Sequence, residues 1–509
     1  MNHNQVVLAL LLFISIGTMV TAQTITSKVV DKKTNEPIPY ATIQLSENHG
    51  VITNEEGRFS LNLNGDFAKI DSIYISSMGY EKVGVSVKNA TDSIIYIQPK
   101  AIELKGVFIS NKNLTVDEII DNVKERVDQN YNFDLSKRRL FFRESEFNAV
   151  KKFDVKFKKS TIKELNKKLI DSVISILPRK AEFYTEVLCD LYGNFDKQKL
   201  HIIKAAELYD KNNKVSMEAV AERMETIFKK NVKPNSYLKI KSGLFGTKVQ
   251  VDSLLENTEE ASIVKDEIDN QKKKDDKSEF LNHRKSGLES LMSSLFFNED
   301  AMSNFLNKSG RYNFELIDYT YMDDNSVYII NFSPKWRADF KGTLYVNTED
   351  FAIVRADYEN VKNLKSFKLL GVMFRDNLYR NKVIFSKGQN NKYDLKYLEM
   401  RRGNLFGFDR PLKVIEKNKF VKGRRKQNEL SLALDVIMTN ISKFEIVVFD
   451  SKQLSEADYK SSTENKSIKP QYLSKYNPEF WKGYNIIEPN SAIRQFTVTP
   501  EVDSGSSSE

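Results

Sequence analysis

Gly50-Val51-Ile52-Thr53-Asn54-Glu55-Glu56-Gly57-Arg58-Phe59 holds a turn that closes on a glycine and releases an aromatic residue into a strand. Asn54 is a turn former, Gly57 is free to take positive φ, and Arg58 to Leu63 follows as a β-prone run. Outward from this turn lie further short β-prone runs at Ile25 to Val30, Tyr40 to Leu45, Ser72 to Ser76 and Ser93 to Ile97. Their regular spacing, with turn residues between, is that of an all-β sandwich. Thr34-Asn35-Glu36-Pro37 and Ile38-Pro39 make a rigid, extended entry to the second run, because proline fixes φ and biases its predecessor toward extended geometry.

The ordered set Val30-Asp31, Thr34 to Ala41, Gly50 to Phe59 and Ser76-Ser77-Met78-Gly79-Tyr80 resembles the carboxypeptidase regulatory-like family, as found in gram-negative envelope proteins. The resemblance covers about a sixth of the chain. It implies a seven-stranded, transthyretin-like sandwich with an accessory folding or docking role, and it does not imply peptidase activity. Zinc peptidases need imidazoles at close spacing. The four histidines here, His3, His49, His201 and His283, are scattered and form no such pattern.

The chain has 509 residues, of which 40% are hydrophobic, 11% aromatic and 29% charged, which predicts several polar-surfaced globular domains rather than one. Val6 to Val20 is almost wholly apolar and is followed by Thr21-Ala22-Gln23, a small-residue stretch suited to cleavage. Export is therefore expected, to the periplasm or the outer-membrane periphery. No other stretch is apolar for long enough to span a bilayer as a helix, so no transmembrane span is expected in the mature chain. The single Cys189 stands in the apolar run Phe183 to Cys189 and reads as a small buried hydrophobe.

Beyond Asn111, Thr115-Val116-Asp117-Glu118 has the form of a capping box, and Val116, Ile119, Ile120, Val123 and Val127 fall on one helical face. Arg138 to Ser145 and Lys156 to Lys168 continue as basic stretches with aromatics. Nucleic acid is not expected as a partner, because export separates the chain from it. Asn257 to Arg284 is strongly charged around Gln271-Lys272-Lys273-Lys274. Strands return at Tyr312 to Tyr321, Ser326 to Phe332, Asp339 to Val346, Phe351 to Tyr358, Leu378 to Ser386, Tyr393 to Arg401 and Leu430 to Met438, which predicts an antiparallel meander. Gly342 to Val354 is similar to the repeating hairpin of lipoprotein-carrier folds, which implies a curved sheet able to enclose an apolar cavity. Larger proteins with this domain order carry outer-membrane barrels, but Lys382, Lys387, Lys392 and Lys396 interrupt the alternation that a lipid-facing strand requires.

The expected architecture is thus mainly β with α, in several domains: a signal peptide (1–23), the N-terminal seven-stranded β-sandwich (24–110), a helical or mixed middle region (111–256), a charged linker or exposed helix (257–310), a C-terminal antiparallel β-domain with a strap (311–500) and a disordered tail (501–509). Residues 24–105 carry nine Lys and Arg against ten Asp and Glu, so the net charge of +9 belongs to the chain behind them. The densest cluster is Lys413, Lys417, Lys419, Lys422, Arg424, Arg425 and Lys426, around Gly423. Lys422, Arg424, Arg425 and Lys426, together with Trp481, are the candidate interaction surface, for an envelope protein or for anionic lipid or glycan. Trp481 stands in Tyr476 to Pro489, similar to a tail motif of envelope proteins bearing the same module, and reads as a strap docked on the sheet. No catalytic, cofactor or metal residue is assigned. The expected function is a non-enzymatic binding or scaffolding module; a lipid carrier and a carboxylate hydrolase, using Asp323 and Asp324 or Glu144 and Glu146, are the alternatives.

Overall fold

The computed structural model describes residues 23–46, 49–63, 70–91, 93–100, 114–243, 245–251, 278–322, 325–388 and 390–498. The expected signal apart from Gln23, the charged run at 272–274, Asp323, Asp324 and the expected tail lie outside them. The chain divides into two units, Met1–Ser77 with Glu81–Pro99 and Pro478–Glu488, and Met78–Tyr80 with Lys100–Asn477 and Pro489–Glu509.

Among the described residues the first unit has seven strands: β1 (Gln23–Asp31), β2 (Thr42–Ser46), β3 (His49–Ile52), β4 (Arg58–Leu63), β5 (Ser72–Ser76), β6 (Val83–Ser86) and β7 (Ser93–Ile97). They form two sheets, ordered β4-β1-β7 and β3-β2-β5-β6, as the resemblance implied. Sequence reading found five of the seven; β3 and β6 are four residues each, too short for a period to emerge. Alternate residues fill the core, among them Ile25, Val29, Ile43, Val51, Phe59, Leu61, Ile73 and Ile75.

The opening turn forms because its polar groups close on themselves. The Asn54 Oδ1 accepts from the backbone N–H of Glu56 and of Arg58, both at 2.9 Å. Gly57 has φ +74°, and a Cβ there would stand 2.6 Å from the Val29 carbonyl oxygen, so only glycine fits. Thr53 Oγ1 donates to the Ile38 carbonyl at 2.8 Å and accepts from Ala41 N–H at 2.9 Å, joining the turn to the proline entry.

The Trp481 strap belongs to this unit, which corrects the expectation that it packs on the C-terminal sheet. Strand β4 is an edge, and its Asn62 N–H donates to Asn485 Oδ1 at 2.8 Å while the Asn62 side-chain amide donates to the Tyr484 carbonyl at 2.5 Å. Asn54 Nδ2 adds a bond to the Glu488 carbonyl at 3.2 Å. An edge strand leaves backbone donors to be met, and the strap meets one of them.

Among the described residues the second unit is built on one open 14-stranded sheet. Its strands are β8 (Ser136–Ser160), β9 (Lys180–Gly193), β10 (Gln198–Tyr209), β11 (Ser236–Ser242), β12 (Phe245–Gln250), β13 (Tyr312–Met322), β14 (Asn325–Pro334), β15 (Phe340–Asn347), β16 (Ile353–Asn360), β17 (Lys365–Leu369), β18 (Val372–Lys387), β19 (Tyr393–Asn418), β20 (Lys426–Gln453) and β21 (Gln471–Leu473). The order is β13-β14-β15-β16-β18-β19-β20-β8-β9-β10-β21, with β11 and β12 attached to β19 and β17 to β18. The middle region is therefore not principally helical. It supplies β8 to β12 to the sheet, and along β8 Leu140 and Phe142 enter the main core while Phe141 and Arg143, at the alternate positions, do not.

Helices α1 (Val116–Glu125), α2 (Lys167–Ile176), α3 (Lys211–Asn231) and α4 (278–293) accompany the sheet. The capping box forms as read, with Glu118 N–H donating to Thr115 Oγ1 at 3.3 Å and Thr115 N–H to Glu118 Oε2 at 2.7 Å. Helix α4 forms where a charged linker or exposed helix is expected, but its apolar side is not exposed: Leu281, Leu288, Leu291, Met292 and the following Leu295 and Phe296 are buried in the main core. There they join Ile119, Ile120 and Val123 of α1 against one sheet face. Rings fill the space, with Tyr131 and Phe385 at 4.9 Å and Phe305 and Phe332 at 4.5 Å between centroids. The Tyr131 hydroxyl donates to the Ile353 carbonyl and accepts its N–H, both at 3.0 Å, so even its polar tip is met.

Candidate functional site

The face of the sheet turned away from this core carries a continuous polar row. Directly paired positions run Glu315, Asn331, Thr343, Asp357, Lys382, Glu399, Glu445, Arg143 and Glu186 across nine neighbouring strands. None of these residues is apolar, whereas Ile330, Leu344, Ala356, Val383, Leu398, Ile446, Phe142 and Val187, one position away along the same strands, lie in the core. Strand alternation alone sorts the two sets.

Toward the centre of the sheet the row becomes a buried ion-pair network. Arg143 donates from Nε to Glu186 Oε1 at 2.8 Å and approaches it from Nη2 at 2.6 Å, with both side chains almost wholly buried. Glu445 lies 3.8 Å from Arg143 and 3.0 Å from Lys443, which also reaches Glu399 at 3.4 Å. Arg401 and the Tyr397 hydroxyl complete Glu399 at 2.9 and 3.1 Å.

Toward β13 the row opens into a cleft of about 540 Å³. Its wall sets Glu315, Asp357, Glu359 and Glu399 against Lys341, Arg380 and Lys382, with Asn313, Asn331 and Thr343 between. Glu359 takes Lys341 at 3.2 Å and Arg380 at 2.9 Å, and Asp357 takes Lys382 at 2.8 Å and Arg355 at 2.6 Å. Although burial opposes it, Arg355 and Lys382 hold the Asp357 carboxyl below its ordinary range. The Arg380 hydrogen bond does the same for Glu359, and Lys443 and Arg401 outweigh burial for Glu399. Burial, with Arg355 beside it, pushes the Lys382 ammonium down. Such a wall presents fixed charges and hydrogen-bonding groups to the cleft. A general acid needs the opposite shift, a carboxyl raised toward neutrality.

The residues singled out from sequence fall elsewhere. Lys422, Arg424 and Arg425 are exposed in the loop 419–425 that joins β19 to β20, while Lys426 is drawn onto the buried Glu429. Trp481 is buried. Glu144 accepts from Arg284, and Glu146 from Asn440 at 2.8 Å, so each carboxylate has a partner of its own. Cys189 is fully buried. Among the described residues no group of three or more His, Cys, Asp and Glu is placed to hold a metal ion. Nor is any helix among them long and apolar enough to cross a membrane. Sequence reading passed over the polar row. Its trace was the charge inside strand-like runs, such as Lys382, which served there only to argue against a barrel.

Residues 25–109 match the family model of the CarboxypepD_reg-like domain, a regulatory, non-catalytic fold. A search of curated proteins gives no match. Among solved structures, the chain is similar to "Crystal structure of MucB in complex with MucA(peri)", at 6% identity over 63% of this chain and 94% of that one, with a TM-score of 0.15. It is also similar to "The complex structure of Pseudomonas aeruginosa MucA/MucB", at 6% identity over 63% and 93%, with a TM-score of 0.14. At these scores the two likenesses carry no structural argument.

Proposed function

We propose that this chain, whose residues 25–109 form a CarboxypepD_reg-like domain, is an exported, non-catalytic binding protein of the periplasm or outer-membrane periphery. Its partner would sit in the polar cleft of the large sheet. The observation that carries this reading is the division of the sheet into one face filled with side chains and one face lined by ordered charge. Among the described residues the apolar face is occupied by a packed aromatic and aliphatic cluster, which weighs against a lipid carrier, since a carrier needs open apolar space. The ionised, cation-held carboxylates weigh against a hydrolase. Export is supported by the apolar run Val6 to Val20 with Thr21-Ala22-Gln23 behind it.

The cleft balances four carboxylates against three cations, which suits a mixed-charge surface such as a segment of an envelope protein. The test is a photo-crosslinking residue at Thr343 in the exported full chain. One dominant protein adduct is expected, lost when Asn331→Trp fills the cleft. An adduct unchanged by that substitution, or none, would refute the reading.

A further inference from the structure

The far end of the long hairpin formed by β19 and β20 has a chemistry that the cleft does not explain. Its base is fixed. Asn418 N–H donates to the Arg425 carbonyl at 2.9 Å, Asn418 Nδ2 to the Pro234 carbonyl at 2.8 Å, and Phe420 N–H to Asn418 Oδ1 at 2.8 Å. Gln427 Nε2 holds the Arg424 carbonyl at 2.7 Å, and Gly423 turns the loop at φ +89°. On this fixed base Phe420 projects 80% exposed. Lys419, Lys422, Arg424 and Arg425 surround it in sequence, all exposed, and none has a carboxylate partner among the described residues.

The acids at this end are already engaged. Glu429 is buried and holds Lys413 at 3.0 Å together with Lys426. Glu416 accepts from Ser236 at 2.7 Å and from the backbone of Lys233 at 2.9 Å. Glu164 holds Lys230 at 2.8 Å. The tip is therefore an exposed, cationic loop that carries one exposed aromatic ring. A single exposed aromatic is ordinary on a protein surface. Flanked in sequence by four exposed cations that have no carboxylate partner among the described residues, it matches a planar anionic surface whose headgroups meet the cations while the ring enters the acyl boundary.

We propose that the loop 419–425 docks the protein on an anionic phospholipid surface, with Phe420 inserted and Lys419, Lys422, Arg424 and Arg425 at the headgroups. This deepens the reading of the basic hairpin as an interaction surface and is independent of the cleft, so either can fail without the other. The experiment is co-sedimentation of the mature full chain with vesicles of phosphatidylglycerol and phosphatidylcholine, against vesicles of phosphatidylcholine alone. Binding is expected only to the anionic vesicles, and it weakens with added salt. Each cation is worth roughly a factor of five, so Lys422→Glu/Arg424→Glu/Arg425→Glu should weaken binding more than about a hundredfold. Phe420→Ser should weaken it about tenfold, and Phe420→Trp should give emission that shifts to the blue on anionic vesicles. Equal binding to both vesicles, no binding, or binding untouched by the loop variants would overturn the proposal. Retention of the loop by a soluble acidic polysaccharide or acidic protein, without vesicle binding, would overturn it in favour of those partners.

Discussion

Arg143 and Glu186, opposite each other on β8 and β9, form an ion pair at 2.6 Å with side-chain exposures of 1% and 0%. Removing one partner of a buried pair leaves the other charge in the interior without its main counter-ion. Arg143→Met should therefore destabilise the second unit by about 3–5 kcal/mol. The double variant Arg143→Met/Glu186→Leu should recover most of the loss, since Glu445 keeps Lys443 at 3.0 Å. Chemical unfolding of the variants, followed by far-ultraviolet circular dichroism, reads both numbers.

Glu429 gives the unit a defined acid sensitivity. Hydrogen bonds from Lys426 and then Lys413 bring its carboxyl down to about 2. Its folded pKa lies below the unfolded value of about 4.3, so its contribution is complete above that value and is lost as the pH falls toward 2. Asp357 and Glu399 are shifted in the same direction and act with the same sign. Lys413→Met/Lys426→Met should raise the Glu429 carboxyl and move acid unfolding to higher pH. A midpoint that stays in place would show that these lysines do not hold it.

Cys189 should be inert in the native protein. Burial pushes its thiol well above the ordinary range, and its side chain is fully enclosed. Ellman's reagent should find no reactive thiol in the native chain and one per chain in denaturant. Rapid native labelling would contradict this placement.

The two tryptophans report on different things. Trp336 is fully exposed and Trp481 is buried in the strap of the sandwich. Acrylamide should quench one emission component readily and spare a blue-shifted one, and Trp336→Phe should leave only the latter. Trp481→Ala should cost the sandwich about 3–5 kcal/mol. Asn62→Ala should cost less, about 1 kcal/mol, since its backbone bond to Asn485 remains.

What sequence reading recovered was local. The Asn54 to Gly57 turn and the Thr115 capping box rest on contacts within a few residues, and both formed as read. The strand character of β8 was missed because its charges are satisfied from far away in the chain. Arg143 meets Glu186 across 43 residues, and Glu445 comes from a still more distant strand. Read alone, Arg138 to Ser145 is a basic run; in the sheet its cations are cross-strand partners. The burial of helix α4 was hidden in the same way, since Leu281, Leu288 and Leu291 keep helical spacing among charged residues but the sheet face that covers them is built from distant strands. The cleft was illegible because its wall comes from six strands, β13, β14, β15, β16, β18 and β19.

The central claim is that the large sheet keeps a filled core on one face and binds its partner on the other. Native mass spectrometry of the mature chain, purified gently from the envelope fraction and followed by lipid extraction, tests it most directly. The predicted result is the chain holding a protein partner, without acyl lipid at fixed stoichiometry. Acyl lipid bound one to one, and retained when Phe420→Ser removes the membrane contact, would contradict it and place a carrier cavity where the aromatic core is packed.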